Sequence, residues 1–423
     1  MGYLAEVARV YSVYLVSILS SVLLNILLAR VLGPAGKGVF TYTILIPYLI
    51  FNFLHIGLGT SGIWFIKQHY EYKDRIVKSI VLYCYIAGFT AVCIMFGLIK
   101  ITRTEVIIAS IAIPFILVYE IGKDLLVGLD KTPLYLRTGL LYRLLPLLFI
   151  GISFLIMGDN IFSAVLAWLV AIIISGAFIT VNLLSQTRGF DLPDGLKELL
   201  KGIFKYGLKV WVGFLSNFIN LRADMFIIYS LTQTAYLGYY SISVSIAEML
   251  LYLPQAVSQI LLQKTSDKRI TDKLWLTSIS FRVILFIFIL LSLILIITGR
   301  PLIILFFSNK FLSSFTPLII LLPAVIFMGL SRILYSDLCG RGRPEIIIFA
   351  SPISAIINVI LNFYFIKKFS IEGAALASLV SYFIEFLIIL KYYLKISCNK
   401  FNNLFLLQAD DLALFFSLFK KKI

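Results

Sequence analysis

The residues best placed to do chemistry are the few charged side chains set inside long apolar stretches. Five cations lie there, Lys123, Arg143, Arg222, Arg282 and Arg332, together with the carboxylates Glu120, Asp124, Asp224 and Glu248. Each central charge costs about 2.5 to 3.5 kcal/mol to insert into a bilayer, so each needs a partner or a purpose. Arg143 and Arg222 sit well inside their apolar runs. A guanidinium offers fixed donors that match phosphate oxygens, so the chemistry they fit is anion binding. Asp224, Glu248 and Asp124 fit the binding of a coupling proton or sodium ion. More ordinary readings apply nearby: Glu120, Lys123 and Asp124 share one helical turn and can pair, and Arg282 and Arg332 lie near helix ends, where snorkelling to headgroups is expected. Arg222 and Asp224 are two residues apart, on nearly opposite sides of a helix, so they do not pair with each other.

Neutral polar residues recur at helical spacing beside these charges. Ser241, Ser245, Glu248, Tyr252, Gln255 and Gln259 step by three and four, with Pro254 as an expected kink. Thr41, Tyr48, Asn52, His55 and Gly59 do so about 200 residues earlier, near Pro47. Tyr14, Ser17, Ser21 and Asn25 form a third stripe, and Asn217, Asn220 and Asp224 a fourth. Hydrocarbon offers such groups no partner, so the stripes face protein or water. The economical arrangement is a central hydrophilic cavity. Its expected substrate-binding residues are Arg222, Arg143, Lys123, Asn25, Asn52, His55, Asn217, Asn220, Tyr252 and Gln255.

Only membrane helices can hold these stripes. The 423 residues are 61% hydrophobic and 14% charged, with a mean hydropathy of +1.00, which is outside the range of a soluble domain. Twelve apolar runs are long enough for a ~30 Å hydrocarbon core: 10–31, 39–66, 76–99, 106–129, 134–157, 161–184, 206–231, 236–262, 274–297, 315–338, 346–366 and 371–394. A short apolar piece, 302–307, precedes Ser308, Asn309 and Lys310 and leaves the start of the tenth run the least defined. With the N-terminus inside, about 24 of the 37 Lys and Arg fall on the cytoplasmic side and roughly 8 outside. Both termini are therefore expected to be cytoplasmic, and the +16 formal charge is mostly a topology signal. The basic residues are scattered over short loops without a stacking platform, which argues against nucleic acid as a partner.

The fold class expected is all-α and integral to the membrane, about twelve helices in two six-helix repeat lobes around a central cavity. The lobes are residues 1–184 and 206–395. Residues 185–205 read as an amphipathic cytoplasmic linker, with Pro193 opening a short surface helix, and 396–423 as a basic amphipathic cytoplasmic tail closed by Lys420, Lys421 and Lys422. Internal matches support duplication. Residues 163–170 align with 373–380 at a shift of 210, 128–133 with 339–344 at 211, and 38–42 with 238–242 at 200.

Other motifs carry less. Cys84, Cys93, Cys339 and Cys398 have no metal-ligand spacing, and His55 and His69 cannot build a metal site alone. No metal or cofactor is expected. Gly57-Leu-Gly-Thr-Ser-Gly62 fits the dinucleotide pattern, but it lies in an apolar helix rather than after a strand, so close helix packing or a hinge is the better reading. The first apolar run is too long for a secretory signal and lacks a small-residue cleavage site, so it is expected to remain as the first helix.

At Leu28-Ala-Arg-Val-Leu-Gly-Pro-Ala-Gly-Lys-Gly38 the chain resembles the polysaccharide flippases, of the Wzx type, within the multidrug, oligosaccharidyl-lipid and polysaccharide exporter (MOP) superfamily. Arg30, Gly33, Pro34 and Gly38 map onto that family's structural turn. The likeness continues through Gly57 to Gly59, the 232–240 turn and Cys339 to Gly342. It implies export of an undecaprenyl-diphosphate-linked oligosaccharide repeat unit, for O-antigen or capsule, across the bacterial cytoplasmic (inner) membrane by alternating access. The implied partners are that lipid-linked substrate, membrane lipids, a coupling H+ or Na+, and other polysaccharide assembly proteins. No enzymatic activity is expected.

Two rivals remain. A drug/cation antiporter of the same superfamily would favour carboxylates and aromatics in its cavity, against Arg143 and Arg222. A membrane polysaccharide polymerase would need a large outer loop, and the outer loops here are short.

Overall fold

The computed structural model describes residues 2–97, 103–187, 196–266, 272–343, 345–397 and 401–405, with side chains from residue 16 onward and, in the helix beginning at Leu196, from residue 198. The described residues are almost wholly helical. They run α1 (Gly2–Leu54), α2 (Leu58–Gln68), α3 (Lys73–Gly97), α4 (Thr104–Ser110), α5 (Ile113–Gly128), α6 (Thr132–Met157), α7 (Ile161–Ser185) and α8 (Leu196–Leu231). Then follow α9 (Thr234–Met249), α10 (Tyr252–Ser266), α11 (Lys273–Phe307), α12 (Phe315–Gly340), α13 (Ile346–Ser397) and α14 (Phe401–Phe405).

Nine segments among these residues are long and apolar enough to cross a membrane. Two of them are each a pair of crossings joined at a break: Val16–Leu54, interrupted at Gly33 (φ 66°), and Ile346–Ser397, interrupted at Ser370 (φ 53°). With α8, whose apolar run is diluted by Asn217, Asn220, Arg222 and Asp224, they account for the twelve runs read from hydropathy. The protein is a multi-pass membrane protein. Residues 302–307 continue α11 through Pro301, and a 3-10 turn, Asn309–Ser314, leads into α12. Three crossings are broken inside the membrane-spanning stretch: the second between α1 and α2, the fourth between α4 and α5, and the eighth between α9 and α10. The eighth breaks at Leu250 and Leu251; Pro254 is not the kink but sits in the first turn of α10, where a missing N–H costs nothing.

The chain divides into two compact units, Met1–Phe218 and Ile219–Ile423. The division falls within α8, whose opening residues 196–205 are already helical. Residues 188–195, including Pro193, and most of the 396–423 tail lie outside the described residues.

Local geometry repeats between the units. α5 and α12 end in the same cap, with N–H bonds from Leu129 to the Leu125 carbonyl, Asp130 to Val127 and Lys131 to Leu126, mirrored by Arg341 to Asp337, Gly342 to Cys339 and Arg343 to Leu338. The left-handed residue of each is Asp130 (φ 58°) or Gly342 (φ 76°). The equivalence is therefore a shift of 212, one residue from the 211 favoured by aligning Gly and Pro letters. Gly158 and Ser370 occupy the next left-handed position at the same shift, and the following helical runs open at Ile161 and Ile371, a shift of 210. Beyond the α12 cap, Glu345 accepts from its own backbone N–H and from the Tyr392 hydroxyl at 3.1 Å, which with Arg343 nearby holds its carboxyl below the usual range.

Candidate functional site

In the first unit the break between α1 and α2 is held by specific donors. Ile56 (φ 43°) and Gly57 (φ 64°) turn the chain into the left-handed region. Broken backbone at membrane depth must have its polar groups satisfied. The Asn52 carbonyl accepts from Trp211 Nε1 at 2.7 Å, the Leu54 carbonyl from the Tyr83 hydroxyl at 2.7 Å, and His55 Nδ1 from the Gly57 N–H at 2.9 Å. A Cβ on Gly57 would lie 2.3 Å from the Gly207 carbonyl oxygen, so α8 crosses the break at backbone contact. The dinucleotide-like glycines are thus packing glycines: a Cβ on Gly59 would meet Asp124 Oδ2 at 2.1 Å, and one on Gly62 would meet Leu125 Cδ2 at 2.5 Å. Asn52 and His55 are buried, and both serve the break.

A polar cluster lies beside it on α1, α5 and α6. Tyr48 and Tyr142 share a hydroxyl–hydroxyl bond, and Tyr119 stacks on Tyr142 with ring centroids 3.7 Å apart. Lys123 pairs with Glu120, as their spacing predicts, and lies 5.9 Å from the Tyr119 ring centroid. Arg143 Nη1 donates to Ser21 Oγ at 3.2 Å. One turn along α1, Asn25 Oδ1 accepts from Lys37 Nζ at 2.8 Å. Of the expected turn residues, Gly33 makes the break, Arg30 is exposed and Gly38 is buried.

In the second unit, α8 and α9 form a second cluster with the helices on either side of Ser370 in α13. Arg222 grips Glu248 with both terminal nitrogens, at 2.6 and 2.9 Å. Asp224 points elsewhere, accepting from the Tyr240 hydroxyl at 2.6 Å and the Met225 N–H at 2.7 Å. Asn220 Nδ2 donates to Ser354 Oγ at 2.9 Å and Glu385 Oε2 at 3.1 Å, and Ser351 Oγ donates to Glu385 Oε1 at 2.7 Å. A small pocket opens on Asp224, Tyr240, Glu248, Met328, Ser378 and Tyr382. Tyr252 and Gln255 are exposed and do not line it, and Asn217, in the first unit, is also exposed. Two arginines depart from the snorkelling expectation. Arg282 is buried and donates to the Asn403 carbonyl, while Arg332 is half-buried, with Met328 Sδ at 3.9 Å. Arg282 turns inward because α14 presents a backbone acceptor.

Within the first unit, expected residues gather at the α1–α2 break and at the tyrosine-rich cluster with Arg143 and Asn25, and within the second at the α8–α9–α13 network. Sequence reading missed Lys37, Ser351, Ser354, Asn358 and Glu385. Ser351, Ser354, Asn358 and Asn362 step by three and four in the eleventh run, and Ser378, Ser381 and Glu385 in the twelfth, so the periodicity used elsewhere would have found all but Lys37.

A family profile described as polysaccharide biosynthesis protein matches residues 137–316. Over 98% of its length the chain superposes on the lipid II flippase MurJ in an inward closed conformation, with a TM-score of 0.76 at 17% identity and 92% of that chain covered. The chain shares that protein's fold. A multidrug resistance MATE family transporter of the MOP superfamily, inward-facing, superposes with a TM-score of 0.74 at 14% identity, covering 90% of this chain and 95% of that one. A MOP superfamily transporter from Pyrococcus furiosus gives 0.59 at 14% identity, with 90% and 95% covered. By sequence the chain is 26% identical over 214 residues to an uncharacterized membrane protein of Methanocaldococcus jannaschii, a match spanning 49% of this chain and 42% of that relative. The chain thus spans well under two thirds of the curated relative it matches.

Proposed function

We propose that the chain is a flippase, carrying an undecaprenyl-diphosphate-linked oligosaccharide repeat unit for O-antigen or capsule across the bacterial cytoplasmic membrane by alternating access, and that it is not an enzyme. The observation that carries this reading is the polysaccharide biosynthesis profile over 137–316 on a fold shared with a lipid II flippase. The charge balance of the clusters supports it. The first unit's cluster sets Lys37, Lys123 and Arg143 against Glu120 and Asp124, an excess of cation that suits a diphosphate. The second sets Arg222 and Arg332 against Asp224, Glu248 and Glu385, an excess of carboxylate that suits a coupling proton or sodium ion. In this reading residues 1–184 and 206–395 are the two lobes, joined through 185–205, and both termini face the cytoplasm.

A drug/cation antiporter is the second reading. It is favoured by the acidic, aromatic pocket of the second unit, where Tyr240 and Tyr382 stand beside Asp224 and Glu248. A polysaccharide polymerase is third, and nothing in the clusters assembles a nucleophile with a base. The deciding experiment is deletion of the gene in its host, with assay of surface polysaccharide and of the lipid-linked precursor. The flippase reading expects loss of the surface glycan and accumulation of precursor in the cytoplasmic leaflet. Normal glycan with no accumulation overturns it.

A further inference from the structure

We propose that the opening turns of α8 form a docking face for the anionic phospholipids of the cytoplasmic leaflet, through Lys201, Lys205 and Lys209. Its sidedness follows the orientation proposed above, and it does not depend on the substrate. The three lysines step by four, share one face of the helix and are all exposed. The opposite face is occupied: Ile203 is buried in the core of the first unit, Leu199, Leu200 and Phe204 pack against that core, and Gly207 meets the backbone at the α1–α2 break. Lys205 is two residues from both Ile203 and Gly207, which turns it away from the packed side. Among the described residues none of the three lysines is in an ion pair. Glu198, the one carboxylate between residues 198 and 212, does not close on them. Like charges held in a row without a counter-ion repel one another, so a surface of opposite charge brought against them is favoured.

The height of the stripe identifies its occupant. Trp64 on α2 and Tyr206 on α8 stack with ring centroids 5.7 Å apart and an interplanar angle of 13°, and both stay exposed. Such rings settle at the headgroup level, where one end is apolar and the other wet. Lys205 and Lys209 flank Tyr206 within one turn, and Lys201 lies about 8 Å of helix rise further out, about one Debye length. Beyond Tyr206 the exposed face turns apolar, at Leu208 and Val212. Lysines just outside an apolar surface and level with aromatic rings meet phospholipid phosphates, whereas an acidic soluble partner needs a stripe that stands clear of the membrane. The attraction of an anionic leaflet falls off with distance, so Lys205 and Lys209 carry most of it. A lipid held there also braces α8 against the α1–α2 break, since Gly202 lies against the Phe65 ring and Gly207 against Gly57.

The test uses the full chain in a neutral detergent, titrated with phosphatidylglycerol or phosphatidylcholine. Bound lipid is counted by native mass spectrometry, and unfolding temperature is followed in parallel. The wild type is expected to prefer phosphatidylglycerol and to lose that preference as salt is raised. Lys205→Gln and Lys209→Gln should each weaken phosphatidylglycerol binding about fivefold, Lys201→Gln less, and the triple variant about fiftyfold, with phosphatidylcholine binding unchanged. The triple Lys→Arg variant should keep the preference. A control combining Lys131→Gln, Arg137→Gln and Lys264→Gln, exposed cations elsewhere on the chain, should bind as the wild type does. A folded triple Lys→Gln variant with the full preference overturns the inference. So does an equal loss in the control, which spreads the binding over the whole basic surface. Displacement of phosphatidylglycerol by an equal concentration of inorganic phosphate or of farnesyl diphosphate also overturns it, the first making the stripe a free-anion site and the second a part of the substrate path. None of these outcomes overturns the flippase reading, which stands or falls on export of the lipid-linked glycan.

Discussion

Arg222 and Glu248 face each other as a two-pronged ion pair between α8 and α9, with both guanidinium nitrogens and both carboxylate oxygens engaged. The side chains are 26% and 29% exposed, so the pair is neither a free surface bridge nor a sealed one. Removing one partner strands the other charge among apolar neighbours. Arg222→Gln and Glu248→Gln are each expected to destabilise the protein by about 2 kcal/mol, below the 3 to 5 of a fully buried pair because water screens part of it. The double variant should recover much of that loss. Thermal unfolding of the four proteins in one detergent measures it, and additive losses would show that the two residues act independently. The pair also bears on substrate binding, since Arg222 can reach a phosphate only by releasing Glu248.

Arg143 is more exposed than Arg222, and it donates to Ser21 Oγ at 3.2 Å. Arg143→Ala should therefore leave membrane abundance unchanged while lowering export about tenfold, the loss of one charge-assisted contact to substrate. Export and abundance are read together in a host deleted for the gene. Full export by the variant would assign Arg143 a structural role only.

The helix breaks mark how much of the fold and site was legible from sequence. Hydropathy located all twelve crossings, because chain length and apolar content are set by the bilayer alone. The gap between its first two runs, 32–38, contains the joint at Gly33, which the family resemblance marks as part of a turn. Hydropathy did not place the break at Ile56 and Gly57, because that break depends on donors from Trp211 and Tyr83, far away in sequence. Side-chain roles divided in the same way. The Glu120–Lys123 pair was readable because it is local. Glu385 was not, because its meaning comes from Asn220 and Ser351 on other helices, and Lys37 lay outside any stripe and was counted with the loops. Polar periodicity shows that a face needs a partner; only the folded chain shows which partner it has.

The crossing of Gly57 with Gly207 predicts strong intolerance of side chains. Gly57→Ala adds a Cβ 2.3 Å from a backbone oxygen at a residue with φ of 64°, so neither rotation nor a side-chain shift relieves it. Overpacking of about 1 to 3 kcal/mol adds to the left-handed penalty of about 1, and the variant should be lost from the membrane or unfold well below the wild type. Gly139→Ala, with nothing within 4 Å of the added carbon, is the control and should be neutral or slightly stabilising. Size-exclusion profiles over a heating series compare them. Equal stability of Gly57→Ala and wild type would mean that the two backbones do not touch there.

Ser370 holds the left-handed position that Gly158 fills in the first unit. A serine there carries steric strain that glycine avoids. Ser370→Gly is expected to stabilise the protein by about 1 kcal/mol and Gly158→Ser to destabilise it by a similar amount. Opposite shifts in unfolding temperature support the equivalence of the two turns, and shifts of the same sign would argue that the turns differ.

Glu385 predicts something about energy coupling rather than stability. Its two oxygens accept from Ser351 and Asn220, and Asn220 bridges onward to Ser354, so α8 and α13 meet at one carboxylate. A group that takes up a proton or sodium ion at this point changes the number of donors it can accept, and with it the contact between the helices. Glu385→Gln keeps the shape and most of the hydrogen bonds but cannot change charge. In proteoliposomes, wild-type translocation is expected to accelerate under an imposed proton or sodium gradient. The variant should run at a rate that the gradient no longer alters, with substrate binding retained. Glu385→Asp, which restores the charge on a shorter arm, should recover part of the response. A Glu385→Gln protein that still follows the gradient in full would move the coupling group elsewhere, with Asp224, held by Tyr240, next in line.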